Sequence, residues 1–389
     1  DFQTNVLNKP NVTFIGGVEV QQDDNMPSSV VTTDATINKP KVTMQQLYDH
    51  YHCVVIATGA SFGRKLLLPH ENSTGIYDAR EFVSWYNGHP DYKDLLPAIQ
   101  TSKNAIIIGN GNVSLDIARF LLAPPKFLHH TDIPLNIRQI LEKSTINHVY
   151  LCARRGVLDA AYTIAELREI LTLMTEKWPQ FDDKKDQTYK LEFINAELTP
   201  EMMEIVQKTR PIKRKTELLV EYRNKSFSYQ IPAGISSSND EKIHHDVCTN
   251  EQKTKNEKTL TFVFDAVPTA INLDTDSPID NTLSSVKSMT FNKTKWDSET
   301  KKYSSTNVLF SLPPFSQDTD SKSIIIKSIG YQTQPLQDVP FDSQKHIYPT
   351  SSGRLISEKA QNNRYISRHH TSDSETVQNH AIIVDPALD

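Results

Sequence analysis

The chain has 389 residues, 37% of them apolar, and a formal net charge of −5. That length leaves room for two domains and a real core, and the near-neutral charge gives no global reason to expect nucleic acid or an acidic membrane surface as a partner. No apolar run approaches the ~20 residues needed to cross a bilayer; Cys53, Cys152 and Cys248 are too few and too scattered for a disulfide framework or a zinc site, and read as buried reduced thiols.

The chain opens at Asp1 with neither an apolar signal core nor an Arg/Ser-rich presequence, so the sequence reads as one whose start was removed or as a fragment. YHCVVIATG (51–59) is a short β-branched run ending at a glycine, which predicts a strand buried on both faces of a parallel sheet. NAIIIG (104–109), HVYLCAR (148–154) and SIIIKSIG (323–330) have the same character. Between the first two of these three lie two helical patterns. NVSLDIARFLL is closed by Pro124 and Pro125, and a second pattern opens near Thr131 and Asp132 and runs through IRQILEK. TELLVEYR (216–223) and TLTFVFDAV (259–267) read as further strands, the second antiparallel or on an edge. The piece 234–258 is almost devoid of apolar residues and predicts a flexible insertion. Adjacent His129-His130, His244-His245 and His369-His370 lack metal-ligand spacing, and no metal site is expected.

Glycine is scarce, with 12 in the chain, so its positions carry information about backbone demands. In NAIIIGNGNVSLDIARFLLAPP, Gly109 stands where a strand must turn sharply into a helix. Gly111 omits a side chain where a pyrophosphate would approach the helix N-terminus, and Ser114 takes the third, small position. By itself the motif is weak, since a glycine turn can merely pack a helix on a sheet; its strand-turn-helix setting strengthens it. The next strand then runs into Arg154 and Arg155 instead of the carboxylate that an NAD ribose would require. Paired guanidiniums suit a 2′-phosphate and favour NADPH, although a solvated basic turn would look the same. Arg154 lies 45 positions after Gly109, farther than the ~20 of a simple fingerprint, because LAPPKFLHHTDIPLNIRQILEK intervenes.

Several segments together resemble the adrenodoxin reductase family of mitochondrial NADPH:ferredoxin oxidoreductases. They are IIIGNGNVSLDIARFLLAPP with HHTDI, CARRG and YTIAELRE (162–169), preceded by FIGGVEV (14–20), YHCVVIATGA (51–60) and GIYDAREFVSWYNGHPD (75–91), and followed by IIIKSIGYQTQPL and VPFD (339–342). The resemblance implies an α/β fold of two Rossmann-like domains, with an NADP-binding domain inserted into an FAD-binding one. On that pattern 1–98 is a partial FAD-binding domain, 99–330 the NADP-binding domain, and 331–389 the return to the FAD domain with a polar tail. It implies FAD and NADP(H) as cofactors, with hydride passing from NADPH to the flavin and single electrons from there to a [2Fe–2S] ferredoxin. Gly109, Asn110, Gly111, Asn112 and Val113 would meet the pyrophosphate and nicotinamide side of NADPH. Arg154 and Arg155 would hold the 2′-phosphate, Glu166 the adenosine end, and Val20 the FAD adenine through its backbone. No side chain reads as a general acid or base, which fits hydride transfer.

The basic run KTRPIKRK (208–215) lies where the family docks its acidic ferredoxin, so Arg168, Arg210, Lys213 and Arg214 would form that patch; a solvated face is the plainer reading. Without interleaved aromatic residues the run does not suggest nucleic acid. The family further implies a mitochondrial matrix location with peripheral inner-membrane association. The family's opening GxGxxG turn and its closing Gly-Trp segment have no counterpart in this sequence, so the flavin domain is expected to be incomplete and FAD to be held weakly. Two readings stay open at this point: part of an NADPH-dependent flavoenzyme, or an inactive NADP-binding module lacking flavin.

Overall fold

The computed structural model describes residues 3–21, 40–60, 62–178, 188–196, 198–225, 227–229, 257–274, 285–297, 299–313, 322–356 and 380–383. Cys248, His244-His245, His369-His370 and all but the last two residues of the insertion read at 234–258 lie outside them. Contacts divide the chain into two units, Asp1–Phe62 with Tyr331–Asp389, and Gly63–Gly330. The second is therefore one continuous segment inserted between two pieces of the first.

The first unit opens with β1 (Glu19–Val20), which pairs in parallel with β2 (Lys41–Val42). α1 (Met44–His50) starts at a reciprocal cap: Gln46 N–H donates to Thr43 Oγ1 (3.1 Å) and Thr43 N–H to Gln46 Oε1 (2.9 Å). β3 (Cys53–Ile56) follows, and β4 (Phe62–Gly63) lies at the division. β3 is not buried on both faces as its composition predicts. Cys53 and Val55 are exposed, so the bland expectation of buried thiols holds for Cys152 and fails for Cys53.

The second unit is built on a seven-stranded parallel sheet. In chain order its elements are β5 (Ile76–Asp78), α2 (Ala79–Tyr86), β6 (Asn104–Ile108), α3 (Asn112–Leu122), α4 (Pro125–Leu128), α5 (Leu135–Leu141), β7 (His148–Cys152), α6 (Ile164–Thr172) and β8 (Thr188–Ile194). Then come α7 (Pro200–Lys208), α8 (Arg210–Lys225), β9 (Phe227–Tyr229), β10 (Glu257–Val263), β11 (Ala266–Leu273), β12 (Val286–Asp297), β13 (Lys302–Leu312) and β14 (Ser323–Lys327). The sheet order is β5-β14-β6-β7-β10-β8-β9, every pairing parallel. β11-β12-β13 form a separate antiparallel sheet.

The period-2 alternation of strand side chains sorts the core into two layers. Ala105, Ile107, Val149, Leu151, Phe262, Ile324 and Ile326 join the helical cluster that holds Leu115, Ala118, Leu122 and Leu167. Ile106, Ile108, Tyr150, Cys152, Val263 and Ile325 instead meet Met289, Phe291, Phe310 and Leu312 of the antiparallel sheet. Both faces of the central strands are thus dry, which is why those runs are continuously apolar. Trp85 and Tyr86 are core aromatics grouped with Phe82 and Phe120. The double proline plays two parts: it ends α3, and Pro125 then takes the first helical position of α4, where a missing N–H costs nothing. The second helix begins at Leu135 and not near Thr131, since Pro134 occupies its N-cap.

Two strand expectations are corrected. TELLVEYR lies in α8: Thr216 and Leu219 are buried and Ile212, Leu218 and Tyr222 half-buried, a helical spacing visible only when the basic run upstream is counted in the same element. TLTFVFDAV spans two strands. Its first part, β10, is an interior parallel strand between β7 and β8. Asp265, at φ +55°, then turns the chain into antiparallel β11. Short strands of the first unit close the described chain: β15 (Tyr331–Gln332), β16 (Thr350–Ser351), β17 (Arg354–Leu355) and β18 (His380–Ile383), the last pairing in parallel with β3.

Candidate dinucleotide site

The sheet reverses direction of travel at β6, which has β14 on one side and β7 on the other; ligands of such sheets bind beyond the strand C-termini at this point. There Gly109 adopts φ +133°, and its N–H donates to Cys152 O at 2.9 Å. A Cβ at Gly109 would run into the carbonyl of Ser328, just past β14, so only glycine fits. Gly111 differs: it is the N-cap of α3, with φ −116°, and a Cβ there meets nothing within 4 Å. The space beside it is open. Ser114 N–H turns back to Gly111 O (3.1 Å), and the Asn112 and Val113 amides belong to the first turn of the helix, whose N–H groups lack intrahelical acceptors and favour an anion. Ser114 is fully buried, as the small third position requires.

A second loop closes on this turn. Ala161 N–H donates to Asn110 O (2.9 Å), and Thr163 N–H donates to Asn112 Oδ1 (2.8 Å). Thr163 caps α6 by accepting from Glu166 N–H (3.3 Å), which puts Glu166 in the first turn of a second helix whose N-terminus is tied to the glycine turn. Between them Tyr162 is 2% exposed; burial pushes its phenol up, and the Asn110 amide beside it pulls the other way without a hydrogen bond of normal geometry. Lys215 of α8 reaches the same loop, donating to Ala160 O and standing 5.7 Å from the Tyr162 ring centroid. Desolvation lowers its ammonium pKa, with Asp159 opposing.

Arg154 and Arg155 follow β7 after the buried Ala153 and are exposed. Because Gly109 is bonded to Cys152 O, the arginine pair begins two residues beyond the carbonyl that the glycine turn grips. Arg155 Nη1 lies 3.8 Å from Asp159 Oδ1, a loose pair that leaves the guanidinium accessible. Gly109, Asn110, Gly111, Asn112, Val113, Arg154, Arg155 and Glu166 therefore converge at one end of the second unit's sheet. An open helix N-terminus beside permanently charged donors suits a phosphorylated dinucleotide. Val20 belongs to the first unit, in β1 opposite Val42; in that unit Gly59 ends the β3 turn at φ +67°, with nothing within 4 Å of a Cβ position. Arg210, Lys213 and Arg214 lie on α8 and Arg168 on α6, two helices that pack together.

Sequence reasoning missed the residues that hold the arginine turn from behind: Asp265, Thr294 and Tyr303. They stand 110 or more positions away in chain order, and no local motif marks them. Among the described residues no group of metal-ligating side chains occurs, and no helix is long and apolar enough to cross a membrane.

No protein-family model matches the chain. It is 34% identical over 316 residues to the mitochondrial NADPH:adrenodoxin oxidoreductase of Arabidopsis thaliana, a match covering 81% of this chain and 56% of that protein. To the protein of the same name from Salvelinus fontinalis it is 31% identical over 315 residues, covering 81% and 54%. The chain thus spans about half the length of these curated relatives. Among solved structures, a point mutant of FprA from Mycobacterium tuberculosis matches at TM-score 0.59 and 25% identity, covering 81% of this chain and 58% of that one. FprA in complex with NADPH matches at TM-score 0.57 and 24% identity, covering 81% and 57%, a likeness of fold. The glycine turn, the arginine pair, the inserted sheet and these relatives agree: over four fifths of its length the chain is similar to the mitochondrial NADPH:adrenodoxin oxidoreductases.

Proposed function

We propose that the segment 99–330 binds NADPH and that the chain serves an NADPH-dependent FAD flavoenzyme passing electrons to a [2Fe–2S] ferredoxin. The observation that carries this reading is the open α3 N-terminus at Gly111 with Arg154 and Arg155 at the end of the neighbouring strand. In it, the amides of Gly111 to Val113 hold the pyrophosphate, the arginine pair holds the 2′-phosphate, and Glu166 meets the adenosine end. Asn110 and the buried, neutral Tyr162 line the approach to the nicotinamide side. Val20 and the turn ending at Gly59 would hold FAD in the first unit. When bound, FAD converts a two-electron hydride into single electrons. The relatives' names support the ferredoxin partner and a mitochondrial location. From the sequence resemblance alone we further propose the matrix side, peripheral inner-membrane contact, and ferredoxin docking to Arg168, Arg210, Lys213 and Arg214; charge reversal at Arg210 and Arg214 should abolish salt-sensitive ferredoxin binding.

Calorimetric titration with NADP⁺ and NAD⁺ tests the nucleotide assignment. Arg154→Ala/Arg155→Ala should lose about 10- to 100-fold in NADP⁺ affinity, since each charge-assisted bond is worth roughly 1.5 kcal/mol or more and both side chains are exposed. NAD⁺ affinity should not change. A double variant that still prefers NADP⁺ refutes the assignment.

A further inference from the structure

The arginine turn is held by a layer that takes no part in the nucleotide fingerprint. Three successive carbonyls, those of Ala153, Arg154 and Arg155, are each held by the antiparallel sheet or the turn leading into it. Ala266 N–H donates to Ala153 O (2.8 Å), Thr294 Oγ1 to Arg154 O (3.2 Å), and Asp265 N–H to Arg155 O (3.4 Å). Two local irregularities bring these donors into place. Asp265 takes a left-handed conformation, φ +55°, which a non-glycine residue holds only when its surroundings enforce it. The pairing of β12 with β13 shifts register between Asn292 and Thr294, the kind of bulge that re-aims a side chain. Thr294 N–H also donates to Asp265 O (2.9 Å), so the bulge and the turn brace each other. Gly156 packs so closely that a Cβ would lie 3.0 Å from Tyr303 Oη and 3.2 Å from Asp265 Oδ1.

We infer that Thr294 is a positioning residue for 2′-phosphate recognition: its hydroxyl, 6% exposed with the rest of the residue, fixes the peptide carrying Arg154 and thereby the aim of the arginine pair. This rests on the assignment of that pair to the 2′-phosphate. NADPH preference is then set jointly by β7 and by an antiparallel sheet more than a hundred residues downstream.

The test uses the full chain and compares NADP⁺ with NAD⁺, and 2′,5′-ADP with 5′-ADP, in Thr294→Val, Thr294→Ser and Arg154→Ala/Arg155→Ala. Thr294→Val keeps shape and loses the donor; it should weaken NADP⁺ and 2′,5′-ADP about fivefold, as one hydrogen bond is worth. NAD⁺ and 5′-ADP should stay within twofold, and Thr294→Ser should restore the preference. Equal losses for both nucleotides would mean a general structural role and overturn the inference. An unchanged preference in Thr294→Val, with the preference lost in the arginine variant, overturns it while the arginine assignment stands. A preference kept in the arginine variant removes both. Should Thr294→Val fail to fold, Gly156→Ala, which displaces Tyr303 and Asp265, must show the same selective loss or the inference fails.

Discussion

Gly109 and Gly111 are two residues apart and do opposite work. At Gly109 the backbone itself demands glycine, because φ is +133° and a side chain would strike the Ser328 carbonyl. Gly109→Ala should therefore cost stability, on the order of 3 kcal/mol, read as a lowered Tm. At Gly111 the backbone is extended and the protein leaves space. Gly111→Ala should leave Tm unchanged and weaken NADP⁺ at least tenfold, because the methyl group enters the space assigned to phosphate. Loss of folding in Gly111→Ala, or full NADP⁺ affinity, would contradict this division. The sequence shows two glycines alike; it does not show which is steric and which is for a ligand, since the obstructing atom at Gly109 comes from residue 328.

At the scale of elements, β14 and β5 are tied at their ends by a buried charged group. Lys327 Nζ lies 3.0 Å from Glu71 Oε1 and 3.2 Å from Asp78 Oδ1, and Glu71 also accepts from the amides of Leu66 and Leu67, each at 2.8 Å. Burial pushes the Glu71 carboxyl up, but the two amides and Lys327 outweigh it and hold the pKa below its ordinary 4.5. A depressed carboxylate contributes stability that is full above pH 4.5 and is lost as pH falls through the lower folded-state value. Lys327→Met should cost about 3 kcal/mol at neutral pH by stranding buried carboxylates, and should shrink that acid-side loss. A variant as stable as the parent at pH 7 would show that the group carries no net ionic stabilisation. Nothing local predicts this triad: Lys327 ends a run of isoleucines, and its partners lie some 250 residues earlier in the chain.

For the whole molecule, the core is unevenly shared. The helical cluster and the layer between the two sheets both lie within Gly63–Gly330, whereas the first unit gathers Met44, Ile56, Leu336, Val339 and Tyr348. Excised Gly63–Gly330 should fold cooperatively, give a native near-ultraviolet spectrum and bind NADP⁺ as tightly as the full chain. A broad, non-cooperative melt of that segment would show that it depends on the first unit.

The sequence by itself determined the βαβ unit, its glycine turn and the arginine pair, because each is written in contiguous residues whose spacing reflects local backbone geometry, and it carried the family resemblance in short segments. It misread α8, whose helical period is legible only across 16 residues, and β10, whose interior position depends on partners far away in the chain. Tertiary structure alone decided that an antiparallel sheet covers the second face of the parallel one, and that Asp265 and Thr294 hold the arginine turn. The physical reason is the same in each case: a carbonyl or an apolar face must be satisfied by some partner, and the sequence records the need without recording which distant residue meets it.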